Sequence, residues 1–491
     1  MSERKSILFL TNHEFGQSNV VLAVAYELLI QNELDVHIAS WSPLQSRALA
    51  LSERVQTEKA GTSIRPITFH SFPLQSVLDS WLKNTTKSAK ADLPHPPGLN
   101  GAARLRRLTP QVLAAWDPEE HIKLYEWCGE LVGKVKPSLV VLDPFLAPAH
   151  DTCRKLKLNH AILSPCTLAS GLIPQQPWLA AFWKYPGPAT GFSYPLPWSK
   201  IPTNIYCIFT MIACLWDPRI KTLNAVRSSH GINDRLASFT PWVTDIPHIC
   251  PSLPEIDLPM TITSNAHLCG PILLATTPVA HSDSSLLEWL QKAPTVLVAL
   301  GTHHEARADI VRELALGIRV LLDSRPDIQV LWKLKADESS QDEDDHMVLA
   351  SLGGKIQKGR VRIDSWLKAD PVALLETGNI VCFVHHGGAN SYFEATWAGI
   401  PQIVVPQWYD TYDYATRVEY LGIGVYGNKV AAPRMIDAKE FGGALLKVVG
   451  ANKGDTAANV MKERARAVGE LCKKSGGRVQ AAQILTDLAI S

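Results

Sequence analysis

The chain carries no excess of charge: 48 Lys and Arg stand against 47 Asp and Glu, charged residues make up only 19% of it, and the net charge is +1. A balance this close argues against a surface built for nucleic acid or another polyanion. Paired cysteines are also missing. Nine Cys are scattered with no CxxC spacing, and an odd, irregular set fits reduced thiols in a cytosolic protein better than a disulfide frame or a zinc site. Long apolar runs are absent as well. The most apolar stretch beyond the N-terminus, residues 205–216, is too short for a bilayer that needs about 20 residues. The opening MSERKSILFLTNHEFG has a basic flank but only the short run Ile7 to Leu10, which suits a first buried strand rather than a signal peptide. The expectation is a cytoplasmic protein without a transmembrane segment, with a peripheral membrane contact left open.

What is present is apolar content of 46% over 491 residues, enough for two domains and too much for disorder. Strand-like runs at residues 7–10, 36–39, 139–142 and 161–163 alternate with helical stretches such as 18–31, where Val20, Val21, Val24 and Leu28 form one stripe. A second set lies at 296–300, 328–334, 361–363, 380–384 and 402–405. Strands alternating with helices predict an α/β fold with doubly wound parallel sheets. The Pro- and Gly-bearing stretch between the sets reads as a linker. The expected division is residues 1–250, a linker at 251–268, a second domain at 269–470, and a terminal helix at 471–491.

The most informative block is FVHHGGANSYFEATWAGIPQIVVPQWYDTYDY, residues 383–414. A buried strand, a Gly387-Gly388 turn and a helix from Ala389 form a site for an anion, because orphan amides and the helix dipole both favour negative charge there. His386, Asn390 and Glu394 recur every four residues and share one helix face. The first can reach a phosphate, the second can orient it, and the carboxylate can accept two hydrogen bonds from a ribose diol.

This block resembles the donor-binding signature of the family 1 UDP-glycosyltransferases, in a form similar to their fungal members. The resemblance runs from Ile7 to the last helix and is most specific in the C-terminal half. It implies the GT-B architecture, two Rossmann-like domains facing a cleft, the first binding acceptor and the second the UDP-sugar, with the terminal helix returning to the first. It further implies that Gly301 and Thr302 lie against the phosphates, and that Trp366 stacks on uracil unless it is a core Trp. His386, Gly388, Asn390, Ser391 and Glu394 match the signature one for one, and Asp410 matches the acid that holds sugar hydroxyls. Three departures stand out. Trp366 is followed by Leu367, Lys368 and Ala369 where relatives carry x-Pro-Gln, two extra residues precede His386, and Thr411 replaces a Gln that contacts glucose in plant enzymes. Thr411 can still reach a hydroxyl, with a shorter side chain.

Family members use a His after a Gly at the end of the first strand as catalytic base, oriented by an Asp. Asp143, ending the strand 139–142, matches that Asp, with a plain Asp-Pro turn as the lesser alternative. The aligned base position is Gln17, and an amide has no useful proton affinity. His13, in the same strand-to-helix loop, becomes the expected base within reach of Asp143; Asp143 itself and His150 are the alternatives. Residues 83–108 read as mobile surface or an acceptor-side lid. The aromatics Trp178, Phe182, Trp183, Tyr185, Phe192, Tyr194 and Trp198 read as a wall against a hydrophobic acceptor or as a packing layer. The DEDDH run at 342–346 offers a DxD but reads as a solvated loop. The resemblance implies an inverting, metal-independent transfer of a hexose, glucose from UDP-glucose being first choice, onto a hydroxyl of a hydrophobic small molecule such as a secondary metabolite, sterol or lipid. No cofactor is expected. The competing expectation is a non-catalytic GT-B relative that binds a nucleotide sugar or activates a partner enzyme.

Overall fold

A computed structural model describes residues 4–84, 94–237, 242–243, 245–301, 308–335, 350–431 and 436–491. Thr302 and the DEDDH run lie outside the described residues, as does part of the loop expected at 83–108. Two parallel sheets organise the chain. In the first, β1 (Ser6–Leu10), β2 (Asp35–Ser40), β3 (Thr68–Ser71), β4 (Leu139–Leu142), β5 (His160–Leu163), β6 (His248–Cys250) and β7 (Ala266–Leu268) are ordered β3-β2-β1-β4-β5-β6-β7. In the second, β8 (Thr295–Ala299), β9 (Gln329–Lys333), β10 (Val361–Asp364), β11 (Ile380–His385), β12 (Gln402–Val404) and β13 (Gly424–Tyr426) are ordered β10-β9-β8-β11-β12-β13. The central strands β1, β4 and β8 are buried along almost their whole length, which is why they read as continuous apolar runs rather than alternating ones.

In each sheet the strand order reverses once, between β1 and β4 and between β8 and β11. Such a switch point leaves a crevice at the carboxyl ends of two neighbouring strands, where open α/β sheets bind ligands. The helices that matter here are α1 (Phe15–Gln31), α2 (Ser42–Glu58), α3 (Leu99–Leu113), α4 (Ile201–Ile212), α5 (Ala389–Ala398), α6 (Thr411–Leu421), α7 (Thr456–Lys474) and α8 (Arg478–Ile490). α1 buries Val20, Val21, Val24 and Leu28 as its stripe requires, and begins three residues before the expected start at 18.

The stretch expected to be a linker is a packed crossover. It ends in β7, which pairs in parallel with β6, and Ile256, Asp257 and Leu258 within it are buried. Asp257 receives a hydrogen bond from the Arg417 Nε of α6 at 2.9 Å, so 251–268 is fastened to both halves. The expected terminal helix at 471–491 is divided: α7 continues to Lys474 and packs on α5, and only α8 packs on α1.

Candidate active site

Both switch points carry the residues that the sequence singled out. Gly301 follows β8 and His386 follows β11; Thr11 to His13 follow β1 and Asp143 follows β4. On the second domain the His386 ring is nested between two glycines. A Cβ on Gly301, whose φ is +104°, would lie 2.8 Å from its Cε1, and one on Gly388 would lie 2.6 Å from its Nε2. Gly387, at φ +93°, passes so close to the next loop that a Cβ would meet the Thr411 carbonyl oxygen at 2.7 Å. Each contact crowds out a side chain, so all three glycines are fixed by space, and Gly301 and Gly387 by their positive φ as well. His385 is a structural partner of His386. Its ring is fully buried, its Nδ1 accepts from the Gly387 amide at 3.1 Å, and its Nε2 faces Gln402 Oε1 at 2.9 Å. That pattern requires a neutral imidazole, and burial lowers its pKa to about 4.

Helix α5 starts at the Gly388 cap, two residues after His386, with no side chain capping its first amides. Asn390 reaches across to the first domain, donating from Nδ2 to the Phe15 carbonyl at 3.0 Å. Asn390 thereby bridges the starts of α5 and α1. Ser391, beside it, is partly exposed. Glu394 is buried and makes no hydrogen bond among the described residues; burial, reinforced by the nearby Asp370, raises its pKa to about 7. Trp366, after β10, is 56% exposed, which rules out the core reading. Lys333 Nζ lies 3.8 Å from its ring centroid, a cation–π contact. Asp410 is partly exposed at the start of α6, with burial raising its pKa to about 6.

Thr411 corrects an expectation. It is buried, its Oγ1 accepts from the amides of Gln407 and Trp408 at 3.2 Å each and donates to the Trp408 carbonyl. The hydroxyl closes the 407–411 turn and has no capacity left for a sugar.

On the first domain the expected His13–Asp143 contact is not made. Asp143 is buried, with Oδ2 taking Asn12 N at 3.2 Å, Asn12 Nδ2 at 3.0 Å and Thr11 Oγ1 at 3.4 Å, while Oδ1 takes Phe145 N at 2.8 Å. Its work is to hold the loop leaving β1. His13 lies one residue further on, with Nε2 3.2 Å from Glu14 Oε1 and its ring 6.1 Å from that of Trp41. His150 is sealed in, its Nε2 against the Asp143 carbonyl at 2.9 Å and its pKa lowered to about 4 by burial. Around Trp41 stand Phe72 and Trp116, with ring centroids at 4.5 and 6.2 Å, and Trp127 behind Phe72 at 4.8 Å.

These features have counterparts in known proteins. UDP-glycosyltransferase 84A1 of Arabidopsis thaliana is 26% identical over 195 residues, 38% of each chain. Glycosyltransferase sdnJ of Sordaria araneosa is 51% identical over 503 aligned positions that cover 99% of this chain and 98% of that one. The chain belongs to the UDP-glycosyltransferase family. Residues 356–469 of this glycosyltransferase match the family model described as erythromycin biosynthesis protein CIII-like, C-terminal domain. Among solved structures, a UDP-glucosyltransferase from Polygonum tinctorium capable of glucosylating indoxyl superposes with a TM-score of 0.65 at 14% identity, covering both chains completely. The calicheamicin glycosyltransferase CalG4 gives 0.58 at 16% identity, over 99% of this chain and 98% of that one. The enzyme thus has the GT-B fold expected of it.

Several parts of this glycosyltransferase's site had no signal in the sequence. His95 is fully buried and ties the first domain to the loop that presents Asp410: its amide donates to the Gln407 carbonyl at 2.9 Å, and its Nε2 accepts from the Tyr409 amide at 3.0 Å. Arg47 of α2 holds the first turn of α1 through Ser18 Oγ at 2.9 Å, with Phe15 under its guanidinium at 4.3 Å. The aromatic stretch splits. Tyr185 and Tyr194 stack at 5.4 Å and Tyr194 meets Tyr420 of α6 edge-on at 5.0 Å, whereas Trp178, Trp183 and Trp198 face solvent. One wall facing an acceptor is therefore not what these residues build.

Proposed function

We propose that this enzyme transfers a hexose from a UDP-sugar, with glucose the first donor to test, onto a hydroxyl of a hydrophobic small molecule such as a secondary metabolite, sterol or lipid, and that it does so in the cytoplasm with inversion at the anomeric carbon. The observation that carries the reading is the meeting of the two switch points, joined by the Asn390 bridge to Phe15. Diphosphate would sit at the start of α5 beside His386, where amides and dipole stabilise it without a metal. Uracil would lie on the exposed ring of Trp366, ribose against Glu394, and the sugar against Asp410.

The acceptor oxygen attacks the anomeric carbon, its proton passes to a base, and the bond to UDP breaks with the electron pair leaving on the diphosphate. A base is typically worth about 10²–10⁴-fold; positioning and charge stabilisation supply most of the rest. His13 fits this role best, because Asp143 is fully engaged and His150 is sealed. Glu14, paired with it, would stabilise the imidazolium, and Asp143 would position the loop through Asn12. The aromatic group of Trp41, Phe72 and Trp116 beside His13 supports an apolar acceptor.

The decisive test is UDP release by the purified enzyme with UDP-glucose and other UDP-hexoses, with and without EDTA, against a panel of hydrophobic alcohols and phenols. A product heavier by one hexose, formed equally with EDTA, is the expected result. Donor binding without any acceptor-dependent release across the panel would overturn it.

A further inference from the structure

The first domain carries a face whose chemistry the transfer reaction does not use. At its centre is α4, IPTNIYCIFTMI, twelve residues without a single charge. Its inner side is packed, yet Tyr206 and Phe209 point outward at 60% and 57% exposure. Around it stand Trp178 at 88%, Leu179 at 71%, Trp198 at 84% and Trp216 at 62%. These belong to one surface. The short helical turns that carry Trp183, Trp198 and Trp216 pack on α4, and the turn of Trp178 and Leu179 packs on the one that ends in Trp183; Phe182 stacks on Phe209 at 5.7 Å, and Trp183 Nε1 donates to the Trp178 carbonyl at 2.9 Å.

Two further observations say what covers it. Trp178 and Leu179 both adopt left-handed backbone, with φ of 60° and 52°. For bulky side chains that conformation costs free energy, and its effect here is to hold a Trp and a Leu out in water. The charge pattern is one-sided as well. Asp217 is the only acid in residues 168–233, and none occurs in 94–116. Lys200 ends the turn of Trp198, Arg219 and Lys221 are exposed at the start of the helix Pro218–Ser229 that packs on the turn of Trp216, and Arg106 stands on α3 against α4. Cationic, Trp-rich and apolar together is the composition of a surface that lies in the interfacial layer of an anionic bilayer, with rings at headgroup depth and Lys and Arg over the lipid charges. A protein partner would not require acids to be excluded over so long a stretch. No helix among the described residues is long and apolar enough to cross a membrane, so the contact is one of lying on the surface.

We propose that this face docks the enzyme reversibly on an anionic lipid surface, inserting Trp178, Leu179, Trp198 and Trp216. The test is flotation of the full chain with phosphatidylcholine vesicles containing about one-third phosphatidylserine, at about 0.1 M and 0.5 M salt. A triple variant, Trp178→Ser, Leu179→Ser and Trp198→Ser, is measured beside it, with its melting temperature as the control for folding. The expected result is binding by the parent chain that falls severalfold at the higher salt and about tenfold or more in the triple variant at unchanged melting temperature. Failure of the parent chain to float at the lower salt, or equal flotation of the variant, would overturn the proposal. So would a parent chain that sediments as a dimer and a variant that sediments as a monomer, because the face would then be a protein interface. Lys200→Glu with Lys221→Glu, which leaves the apolar residues in place, should weaken flotation only with the anionic vesicles.

Discussion

The Nε2 of His95 accepts a hydrogen bond from the backbone amide of Tyr409 at 3.0 Å, across 314 residues of chain. Its Nδ1 faces the Pro96 carbonyl at 2.9 Å, so Nδ1 carries the proton and Nε2 the lone pair. A first-domain segment thereby fixes the loop that leads into Asp410. His95→Ala removes the acceptor of the Tyr409 amide, at a cost of about 1 kcal/mol. The expected outcome is a donor KM raised about tenfold or more with a smaller change in acceptor KM, measured by initial rates over both substrates. An unchanged donor KM would separate the strap from the sugar site.

His386→Ala should weaken UDP binding by about 10–100-fold, the loss of one charge-assisted contact, as read by calorimetry. Gly301→Ala should do the same without removing any polar group, since its methyl would displace the ring. Full affinity in both variants would remove the diphosphate from this spot.

His13→Ala should lower turnover by about 10²-fold or more while UDP affinity stays the same. The discriminating partner is Glu14→Gln, which should lower turnover modestly at unchanged UDP affinity, because it removes the carboxylate 3.2 Å from the His13 Nε2. Full activity in His13→Ala would move the base elsewhere.

The pH dependence of binding has a definite sign. Burial raises Glu394 to about 7, with Asp370 adding to it, and raises Asp410 to about 6. Both are proposed to accept hydrogen bonds as carboxylates, so donor affinity should rise from pH 5 to 8, most steeply between about 6 and 7. Stability of the unliganded enzyme should move the other way. A carboxyl whose folded pKa is raised binds a proton that the unfolded chain releases, so its contribution is complete below the ordinary carboxylate range and is lost as pH rises through 6 to 7. Titration of donor affinity and of melting temperature over the same window checks both.

His385→Ala should destabilise the second domain by about 2–4 kcal/mol, from the cavity and from the unpaired Gly387 amide and Gln402 side chain. Denaturant unfolding measures it. His385→Gln should recover only part of the loss, because the Gly387 turn needs an acceptor at the Nδ1 position.

The strand, Gly-Gly turn and helix around His386 were legible in the sequence because their constraints are local and lie within one short block. The long buried strands were equally plain. Short strands were not. β6, β7 and β13 have three residues each and, unlike β12, whose Ile403 to Val405 form an apolar run, each reads without one, so β7 passed for linker. Thr411 shows a second limit. Its side chain has the chemistry to bind a sugar, and only the fold shows that the backbone three and four residues before it has already taken the hydroxyl. His13, Asp143 and Asn12 show a third, since which of two adjacent side chains turns toward a carboxylate depends on the path of the loop leaving β1. His95 and Arg47 were silent because their partners lie far away in sequence.

Helix α8 lays Ala481, Ala482, Leu485 and Ala489 into the same core as Ile7, Val20 and Val24, and Arg478 Nε reaches Glu27 Oε1 at 2.7 Å. During synthesis the first domain therefore emerges with an open flank, and that flank stays open while the whole second domain is translated. Helix α8 is translated after the second domain and closes a core begun by β1 and α1. A chain cut short before Arg478 should therefore show its defect in the first domain, at the far end of the sequence from the cut.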